Sequence, residues 1–512
     1  MKILLATVPP WLPYQPYLSI PLLTGILKEN GFTVIQKDYN VEFYNNILSA
    51  NEISSQFKQF AKSETDYLDS KKQDLLKIKD FLIENVDTFK LNVKRENSYS
   101  NEIEIQESFE MLDLTLKSFS LKYPEIELAL GEIKYHFDFY NINNVFRYVH
   151  DASNFFKYYF EKFHLHEIYS ESPDIIGFSI TTAEQLIPAL TFAKVLHEYK
   201  CNIKVFLGGA YISRVAHNLI TDKRFTSLID CVLRGYSENT IIDLMQAYQS
   251  GFGFEHIDGI IYKKGGNVVD NPILRYRFSK NIPFPDFDGL PFDFYFSPCR
   301  KLPIELTKGC YWGKCRFCEL NGDVYTAKSA EQIFAEIEYL HSRYHVNHFS
   351  FVSASPSPKL LYSIATMIKE AHMKITWSTM IRPEPYIDGQ FAKRLYDGGM
   401  RLAKIGFESG SQKMLDSMNK GLCVENNRKV LNALFQAGIS VHGYFMYGYN
   451  GENLSDIEMT KSFIEEERSR LTSFAISFYT EMYIPNNGLQ IYKAIDSMHL
   501  KKIKLILNTN LQ

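Results

Sequence analysis

The stretch that decides the fold is Leu302-Pro-Ile-Glu-Leu-Thr-Lys-Gly-Cys-Tyr-Trp-Gly-Lys-Cys-Arg-Phe-Cys318. It begins with an apolar run typical of a buried strand and continues into a loop that carries Cys310, Cys315 and Cys318. Glycines before the first cysteine and between the first two allow the loop to fold back, so that three thiolates can face one point. Thiolates arranged in this way bind iron–sulfur clusters or zinc. Three ligands leave one coordination position open, which favours catalysis over a purely structural site.

Zinc is the alternative occupant of this loop. Cys299 could serve as a fourth ligand and complete a structural zinc site. However, no histidine lies between Cys299 and Cys318, and there is no second Cys-x2-Cys pair. The loop also joins a predicted strand to a helix that begins near Ala330, which is unlike a zinc knuckle. The sequence therefore favours an iron–sulfur cluster.

Strands and helices alternate from this stretch to about residue 484, and this predicts an α/β fold. The predicted strands are Leu302–Leu306, Phe349–Val352, Lys374–Ser378, Leu402–Phe407, Val441–Tyr447 and Ser473–Tyr479. The predicted helices are Ala330–Tyr344, Leu360–Ala371, Gly389–Gly398, Glu425–Ala437 and Ser455–Glu467. Six repeats indicate a partial (β/α)6 barrel at residues 301–484, with its chemistry at the carboxyl ends of the strands.

Residues 1–255 predict a Rossmann-like, doubly wound domain with a parallel sheet. Its predicted strands are Lys2–Thr7, Thr33–Gln36, Asp174–Ile180, Lys204–Gly209 and Cys231–Gly235. Residues 42–170 interrupt this pattern and are rich in Glu, Lys, Phe and Tyr, which predicts a helical insertion. Residues 256–300 form a proline-punctuated connector with a glycine hairpin, and residues 485–512 form a short tail.

The composition is that of a globular protein with 512 residues, 45% of them hydrophobic and 14% aromatic. Such a length favours two or three domains. The net charge of −3 gives no basic excess, so we expect no nucleic-acid partner. Seven cysteines, three of them grouped, indicate a reducing cytoplasm rather than a disulfide framework. The apolar start, Met1–Val8, is too short for a signal peptide, and no stretch is long enough to cross a bilayer.

Three cysteines that end in Cys-x-Phe-Cys after a strand resemble the cluster loop of the radical S-adenosylmethionine (SAM) enzymes. Three later segments strengthen the resemblance, because they follow the cysteines in the family's order at predicted strand ends. They are Trp377-Ser-Thr-Met-Ile-Arg-Pro-Glu384, Ile405-Gly-Phe-Glu-Ser-Gly-Ser411 and Gly443-Tyr-Phe-Met-Tyr-Gly-Tyr-Asn-Gly-Glu452.

The resemblance implies that Cys310, Cys315 and Cys318 hold a 4Fe-4S cluster. It also implies a set of residues that contact SAM. Phe317 would lie near the adenine, Glu408 and Ser409 near the ribose or amine, and the turn at Tyr447 would support the adenine. A guanidinium at a strand end could bind the SAM carboxylate in a bidentate pair, and Arg382 is placed for this.

Two features depart from the family pattern. Four residues separate the first two cysteines, where the commonest spacing is three. The second predicted strand ends in Ser353-Ala-Ser-Pro-Ser-Pro358, where the family often has a Gly-Gly-Glu-like stretch whose backbone receives the SAM amino group. Backbone carbonyls could serve here, although the prolines remove donors.

Residues 1–40 and 172–255 resemble the cobalamin-binding domain that precedes the barrel in one large class of radical SAM enzymes. The matching segments are Ile20-Pro-Leu-Leu-Thr-Gly25, Gly177-Phe-Ser-Ile-Thr181, Leu207-Gly-Gly-Ala210 and Arg234-Gly-Tyr-Ser-Glu238. Small residues at strand ends let a flat corrin approach the backbone. The residues implied in cobalamin binding are Ser179, Thr181, Gly208, Gly209, Gly235 and Glu238. The alternative is a Rossmann-like domain that binds no cofactor.

The resemblance implies a cobalamin-dependent radical SAM methyltransferase that acts on an unactivated carbon of a peptide or natural product. In that family a 5′-deoxyadenosyl radical removes hydrogen from the substrate, and cobalamin delivers the methyl group. An electron donor such as flavodoxin or ferredoxin is implied as a partner. Two alternatives stay open: a radical SAM cyclase or rearrangement enzyme without methyl transfer, and a non-catalytic scaffold derived from the family.

Overall fold

The computed structural model describes residues 1–60, 70–95, 102–273, 282–483 and 491–494. The chain divides into two compact units. The amino-terminal unit is built on Met1–Leu274 and Pro283–Arg300, and the barrel unit on Lys301–Tyr483. Most of the predicted tail at 485–512, and part of the predicted connector, lie outside the described residues.

The amino-terminal unit contains nine described strands. They are β1 Lys2–Thr7, β2 Thr33–Asp38, β3 Ile126–Ala129, β4 Glu132–Tyr135, β5 Ile175–Ser179, β6 Lys204–Gly208, β7 Cys231–Leu233, β8 Ile260–Lys264 and β9 Asn267–Asp270. Seven of them form one sheet in the order β2-β1-β5-β6-β7-β8-β9. The five from β2 to β7 are parallel, while β8 and β9 add antiparallel strands at one edge.

The order of the five parallel strands is that of the flavodoxin-like doubly wound sheets. The chain runs from β1 outward to β2 and later returns to place β5 on the other side of β1. In such sheets a ligand binds at the carboxyl ends of the strands where the order reverses, which here lies between β1 and β5. The predicted Rossmann-like fold is confirmed.

Helices cover this sheet and build the insertion. They are α1 Ser19–Glu29, α2 Tyr39–Ile47, α3 Ala50–Phe60, α4 Ser70–Lys77, α5 Lys79–Lys94, α6 Glu102–Lys117, α7 Ile142–His150, α8 Phe155–Phe163, α9 Leu165–Glu171, α10 Leu186–Glu198, α11 Ala210–Leu219, α12 Lys223–Leu228 and α13 Thr240–Ser250. Short 3-10 turns lie at Ser118–Leu121, Ala183–Gln185 and Phe292–Phe294.

The insertion is mostly helical, as predicted, but it also contains the antiparallel hairpin β3–β4. Gly131 lies in its turn with φ of +79°, a conformation that favours glycine. The alternating burial of both strands shows why they pair: Ile126, Leu128, Ile133 and Tyr135 are buried on one face. Predicting the whole insertion as helical was therefore wrong at this hairpin.

The barrel unit contains strands β10 Lys301–Glu305, β11 Thr307–Lys308, β12 Thr326–Ala327, β13 His348–Val352, β14 Thr376–Met380, β15 Met400–Glu408, β16 Ser440–Tyr447, β17 Ser473–Phe478, β18 Thr480–Tyr483 and β19 Ile491–Ala494. Its helices are α14 Ala330–Tyr344, α15 Pro358–Glu370, α16 Gly389–Asp397, α17 Gln412–Ser417, α18 Val424–Gln436 and α19 Leu454–Glu467.

The main sheet of this unit has the order β10-β13-β14-β15-β16-β17, with every neighbouring pair parallel. Strands β10 and β17 form its two edges, so the barrel is open. The predicted six-strand α/β architecture is confirmed, with strand bounds shifted by one or two residues. Among the described residues, no helix is both long and apolar enough to span a membrane.

Candidate functional site

The cysteine loop leaves the carboxyl end of β10 and is closed at its base by a short antiparallel pair. Strand β11 pairs with β12, so that Thr307 lies opposite Ala327 and the cysteines lie on the segment between them. Cys310 forms a parallel bridge with Ser355, and the Tyr311 amide donates to the Ser355 carbonyl at 3.4 Å. The serine- and proline-rich segment after β13 therefore supports one side of the loop.

The other side of the loop is held by the segment that follows α17. The Arg316 amide donates to the carbonyl of Met418 at 2.9 Å. The Trp312 indole donates to the carbonyl of Asn419 at 3.1 Å, and the Asn419 amide group returns a bond to the carbonyl of Lys314 at 2.9 Å. Reciprocal bonds of this kind fix the loop before any metal binds.

The three cysteines are half-buried. Within the described residues, they do not form a group whose ligand atoms all lie within 4.8 Å of one another. A tetrahedral zinc ion with Zn–S bonds of about 2.3 Å holds its sulfurs only about 3.8 Å apart. Burial raises the pKa of the Cys315 and Cys318 thiols, and the charge of Lys420 opposes the shift at both.

Arg382 lies beside the cysteine loop and is 5% exposed. Its Nε donates to Glu384 at 2.6 Å, and its guanidinium carbon lies 4.2 Å from the centroid of the Trp312 ring. Tyr311 donates its hydroxyl proton to the same Glu384 carboxylate. The guanidinium is thus fixed on one edge, while its Nη2 is buried without a hydrogen-bond partner. An unsatisfied donor of this kind fits an anionic ligand.

Glu408 ends β15 and pairs with Lys420, whose Nζ lies 2.7 Å from its carboxylate. The β15 register shifts between Gly406 and Glu408, and Glu408 has φ of +64°. A non-glycine residue in this region is strained, and such strain concentrates at functional sites. Lys420 Nζ also lies 5.7 Å from the centroid of Phe317 in the cysteine loop. Glu408 and Phe317 are therefore brought together through one buried lysine.

Phe317 packs against an apolar cluster of flexible, polarisable side chains. Its buried members are Met414, Met418, Met446 and Tyr449. Methionine fills irregular spaces and makes favourable contacts with aromatic rings. The cluster gives the space beside the cysteine loop an apolar wall on the side of β16 and α17.

Ser409 and Tyr447 point to the helix layer instead. The Ser409 hydroxyl is bonded to that of Thr460 on α19 at 2.8 Å. The Tyr447 ring packs against Ile457 on the same helix. Both side chains therefore fill the space behind the sheet. The predicted contact of these residues with SAM stays a prediction, and the backbone at the strand ends would make it.

Gly421 is required where the Trp312 ring crosses the segment after α17. It has φ of +65°, and an added Cβ would overlap the ring. We expect Gly421→Ala to displace Trp312, which also stacks on Arg382, and to lower the iron content of the reconstituted protein several-fold. Gly451→Ala is the matched control, because Gly451 has φ of +82° and open space around it. Equal iron content in both variants, measured by iron assay after gel filtration, would contradict the expectation.

The predicted cobalamin residues lie at neighbouring strand ends of the amino-terminal unit. Ser179 ends β5 and is bonded to Ser19 of α1 at 2.9 Å, which links the two strands at the reversal of strand order. Thr181 follows on the same connection, and its amide donates to Gln185 at 2.7 Å. Gly235 follows β7, and its amide donates to Ser213 at 2.9 Å. Glu238, three residues later in the chain, is buried.

Gly208 ends β6 and Gly209 precedes α11, and the fold requires glycine at only one of them. Gly209 has φ of +106°, and an added Cβ would overlap the backbone of Ile180, so glycine is required by the fold itself. An added Cβ at Gly208 would meet only Leu233, at 3.8 Å. The fold therefore does not require glycine at Gly208, and the missing side chain leaves space at the end of the strand.

Sequence reasoning missed several residues that build the site. Trp312, Glu384 and Lys420 orient the predicted residues, and Met446 rather than Tyr447 faces the cysteine loop from β16. Glu384 lies two residues after Arg382, across Pro383, and this short Arg-Pro-Glu spacing was the signal that could have found it. Lys420 had no such signal.

Comparison with known proteins agrees with this geometry. The sequence model described as the radical SAM superfamily matches residues 304–464. An uncharacterized methyltransferase of Pyrococcus horikoshii is 26% identical over 60% of this chain and 67% of its own length. The anaerobic magnesium-protoporphyrin IX monomethyl ester cyclase of Rubrivivax gelatinosus is 23% identical over 59% of this chain and 56% of its own length. The chain thus spans between half and two thirds of these relatives.

Two solved structures share the fold across both units. TsrM of Kitasatospora setae, a radical SAM methyltransferase with cobalamin and a [4Fe-4S] cluster bound, has a TM-score of 0.56 and 13% identity, over 93% of this chain and 74% of that one. OxsB, a cobalamin-dependent SAM radical enzyme, has a TM-score of 0.58 and 15% identity, over 100% of this chain and 56% of that one. Residues 304–464 are thus similar to the radical SAM superfamily, and the chain shares its fold with two cobalamin-dependent enzymes of that kind.

Proposed function

We propose that this protein is a radical SAM methyltransferase that uses a 4Fe-4S cluster, SAM and cobalamin to methylate an unactivated carbon of a peptide or natural product. The observation that carries the proposal is the three-cysteine loop at the carboxyl end of the first barrel strand, beside an arginine with an unsatisfied buried donor. When bound, the cluster supplies the electron that cleaves SAM, and cobalamin serves as the carrier of the methyl group.

The residues of the barrel unit fit a cluster with SAM on its open corner. Cys310, Cys315 and Cys318 would hold three irons and leave one free for a substrate ligand. Arg382 would bind the SAM carboxylate through Nη2, because Glu384 and Trp312 already fix its other edge. Glu408, held by Lys420, would accept from the amine or ribose of SAM.

The apolar wall would protect the reaction from water. Phe317 and Met446 lie in one cluster with Met414, Met418 and Tyr449, so polar solvent has few partners on this side of the cysteine loop. Apolar surroundings also strengthen the contacts of Arg382 with an anion, because the local dielectric is low. The protein's contribution is therefore to orient SAM and to exclude water.

The amino-terminal unit supplies an edge that fits a flat macrocycle. Strands β5 and β6 end in Ser179 and Gly208 beside the reversal of strand order, where ligands bind in doubly wound sheets. Gly208 provides space there that a side chain would fill. Thr181, Gly209, Gly235 and Glu238 remain candidates on the same edge.

Cyclisation without methyl transfer is the second candidate. It is favoured by the Rubrivivax relative, which is named as a cyclase. Both candidates need a substrate and a one-electron reductant, for which we propose a flavodoxin or ferredoxin in the reducing cytoplasm. They differ in whether the methyl group of SAM leaves the sulfur.

The test uses the anaerobically reconstituted full chain, hydroxocobalamin, a chemical reductant and SAM labelled in its methyl group. We expect both 5′-deoxyadenosine and S-adenosylhomocysteine, with label in the corrinoid fraction separated by chromatography. Deoxyadenosine alone, with no label in that fraction, would favour the cyclase and overturn methyl transfer.

Gly208→Leu tests the cobalamin edge separately. The added side chain should exclude the corrinoid while leaving the cluster and deoxyadenosine formation unchanged, because a Cβ at Gly208 meets only Leu233, at an ordinary contact distance of 3.8 Å. Corrinoid binding at the wild-type level in this variant, read from the visible spectrum, would contradict the proposed position.

A further inference from the structure

Three ionisable side chains of the amino-terminal unit converge on one point that the proposed function does not use. Within the described residues, Glu42, His164 and Glu167 form the group of possible metal ligands whose atoms all lie within 4.8 Å of one another. His164 Nδ1 lies 3.6 Å from Glu42 Oε2 and 3.9 Å from Glu167 Oε2. Both distances exceed those of a hydrogen bond.

One ring nitrogen of His164 is buried and faces this point. The residue is 2% exposed, and its Nε2 lies 2.8 Å from the hydroxyl of Tyr159. Its Nδ1 is buried without a hydrogen-bond partner. Buried polar atoms in native proteins are almost always satisfied, so an orphaned ring nitrogen between two carboxylates indicates a missing group. In the tautomer whose Nε2–H donates to Tyr159, Nδ1 carries the lone pair that a metal needs.

A second orphaned atom belongs to a ring that packs against the imidazole. Tyr39 is fully buried, its ring centroid is 4.4 Å from that of His164, and its hydroxyl has no hydrogen-bond partner. The carboxylate of Glu42, on α2, likewise has no hydrogen bond within the described part of the chain. One defect could be a local accident of packing, but two orphaned atoms and an unbonded carboxylate around one space require a common explanation.

The ion pair between Lys37 and Glu167 orients the Glu167 carboxylate towards His164. Lys37 forms an ion pair with Glu167 Oε1, which leaves Oε2 directed towards His164. The group therefore consists of two carboxyl groups and one imidazole, with a single lysine paired to one of the carboxyl groups. Imidazole and carboxylate ligands together suit divalent zinc, manganese and iron.

We propose that Glu42, His164 Nδ1 and Glu167 bind a divalent cation of the Zn²⁺ or Mn²⁺ type. The ion is structural, because its ligands join α2, which follows the edge strand β2, to the junction between α8 and α9. It thereby fixes the start of the insertion to its end, at the place where the insertion leaves the sheet.

The experiment counts zinc in the cluster-reconstituted full chain, in which iron occupies the cysteine loop. The protein is equilibrated with Zn²⁺, passed over a desalting column, and measured by mass spectrometry of the elements and by thermal unfolding. We expect about one zinc ion per chain and a higher Tm with zinc than without it. Zinc occupancy should fall about ten-fold or more in Glu42→Gln and His164→Ala, with loss of the Tm increase.

His150→Ala is the matched control, because His150 lies on α7 of the same unit and its Nδ1 is already bonded to the Phe146 carbonyl at 2.8 Å. It should bind zinc like the wild type. Glu42→Gln keeps the size of the side chain and decides the matter alone if His164→Ala fails to fold. Equal zinc in the wild type and Glu42→Gln, or no zinc-dependent Tm change in the wild type, would overturn the site. Neither result depends on catalysis, so failure of the proposed function is detected separately.

Discussion

Cys315→Ala is expected to remove the cluster and abolish the formation of 5′-deoxyadenosine from SAM, while the protein stays folded. The residue lies on a loop whose backbone is fixed by neighbouring bonds, so loss of its half-buried thiol should change the free energy of unfolding little. We expect a cluster with only two cysteine ligands not to be retained, because each iron of such a cluster needs its own protein or substrate ligand. Iron content, visible absorbance and deoxyadenosine yield measure the effect.

Cys423→Ala provides the control for this substitution. Cys423 is half-buried in the same unit and precedes α18, outside the cysteine loop. It should retain the iron content and SAM cleavage of the wild type. Unchanged SAM cleavage by Cys315→Ala would remove the basis of the assignment.

Arg382→Gln is expected to weaken SAM binding by about 30- to 1,000-fold, which corresponds to about 2–4 kcal/mol for the loss of a buried charge-assisted pair. Glutamine keeps much of the volume but cannot offer the planar donor edge that Nη2 presents. The iron content should stay unchanged, because Arg382 is not a ligand. Equilibrium binding of SAM to the reconstituted, unreduced protein measures the effect directly.

Arg401→Gln controls for the loss of one positive charge in the same unit. Arg401 is exposed and its Nη1 donates to the carbonyls of Tyr396 and Met400. Its substitution should leave the Kd for SAM unchanged. Wild-type affinity in Arg382→Gln would show that the carboxylate of SAM binds elsewhere.

The barrel and its cysteine loop could be predicted because apolar runs and turn residues alternate regularly from Leu302 onward. Helix α14 was predicted to the residue, since its apolar spacing and its capping residue agree. The rule that chemistry lies at the carboxyl ends of parallel strands placed Arg382 and Glu408 correctly at strand ends. These features depend on residues that are close together in the chain, so a single sequence is enough to predict them.

The direction of side chains at the strand ends could not be predicted. The end of β16 reads Tyr-Phe-Met-Tyr, so all its residues are apolar or aromatic and the alternation that separates the two faces is lost. Met446 therefore faces the cysteine loop, and Tyr447 faces α19. At Ser409 the preceding register shift and the positive φ of Glu408 turn the chain, and neither has a sequence signal.

Contacts between segments that are far apart in the chain could not be predicted from the sequence either. Glu42 and His164 are separated by most of the insertion, and nothing in either local sequence indicates that they meet. The hairpin β3–β4 had a legible signal, because two short alternating runs flank Gly131, but the surrounding helical composition obscured it.

A Mössbauer spectrum of the wild-type protein, reconstituted with ⁵⁷Fe and recorded before and after SAM is added, decides whether three thiolates hold a cluster with one open iron. We expect the spectrum of a 4Fe-4S cluster in which one iron site changes when SAM binds. A single iron or zinc ion bound by the cysteines, or a cluster spectrum that SAM leaves unchanged, would contradict the assignment.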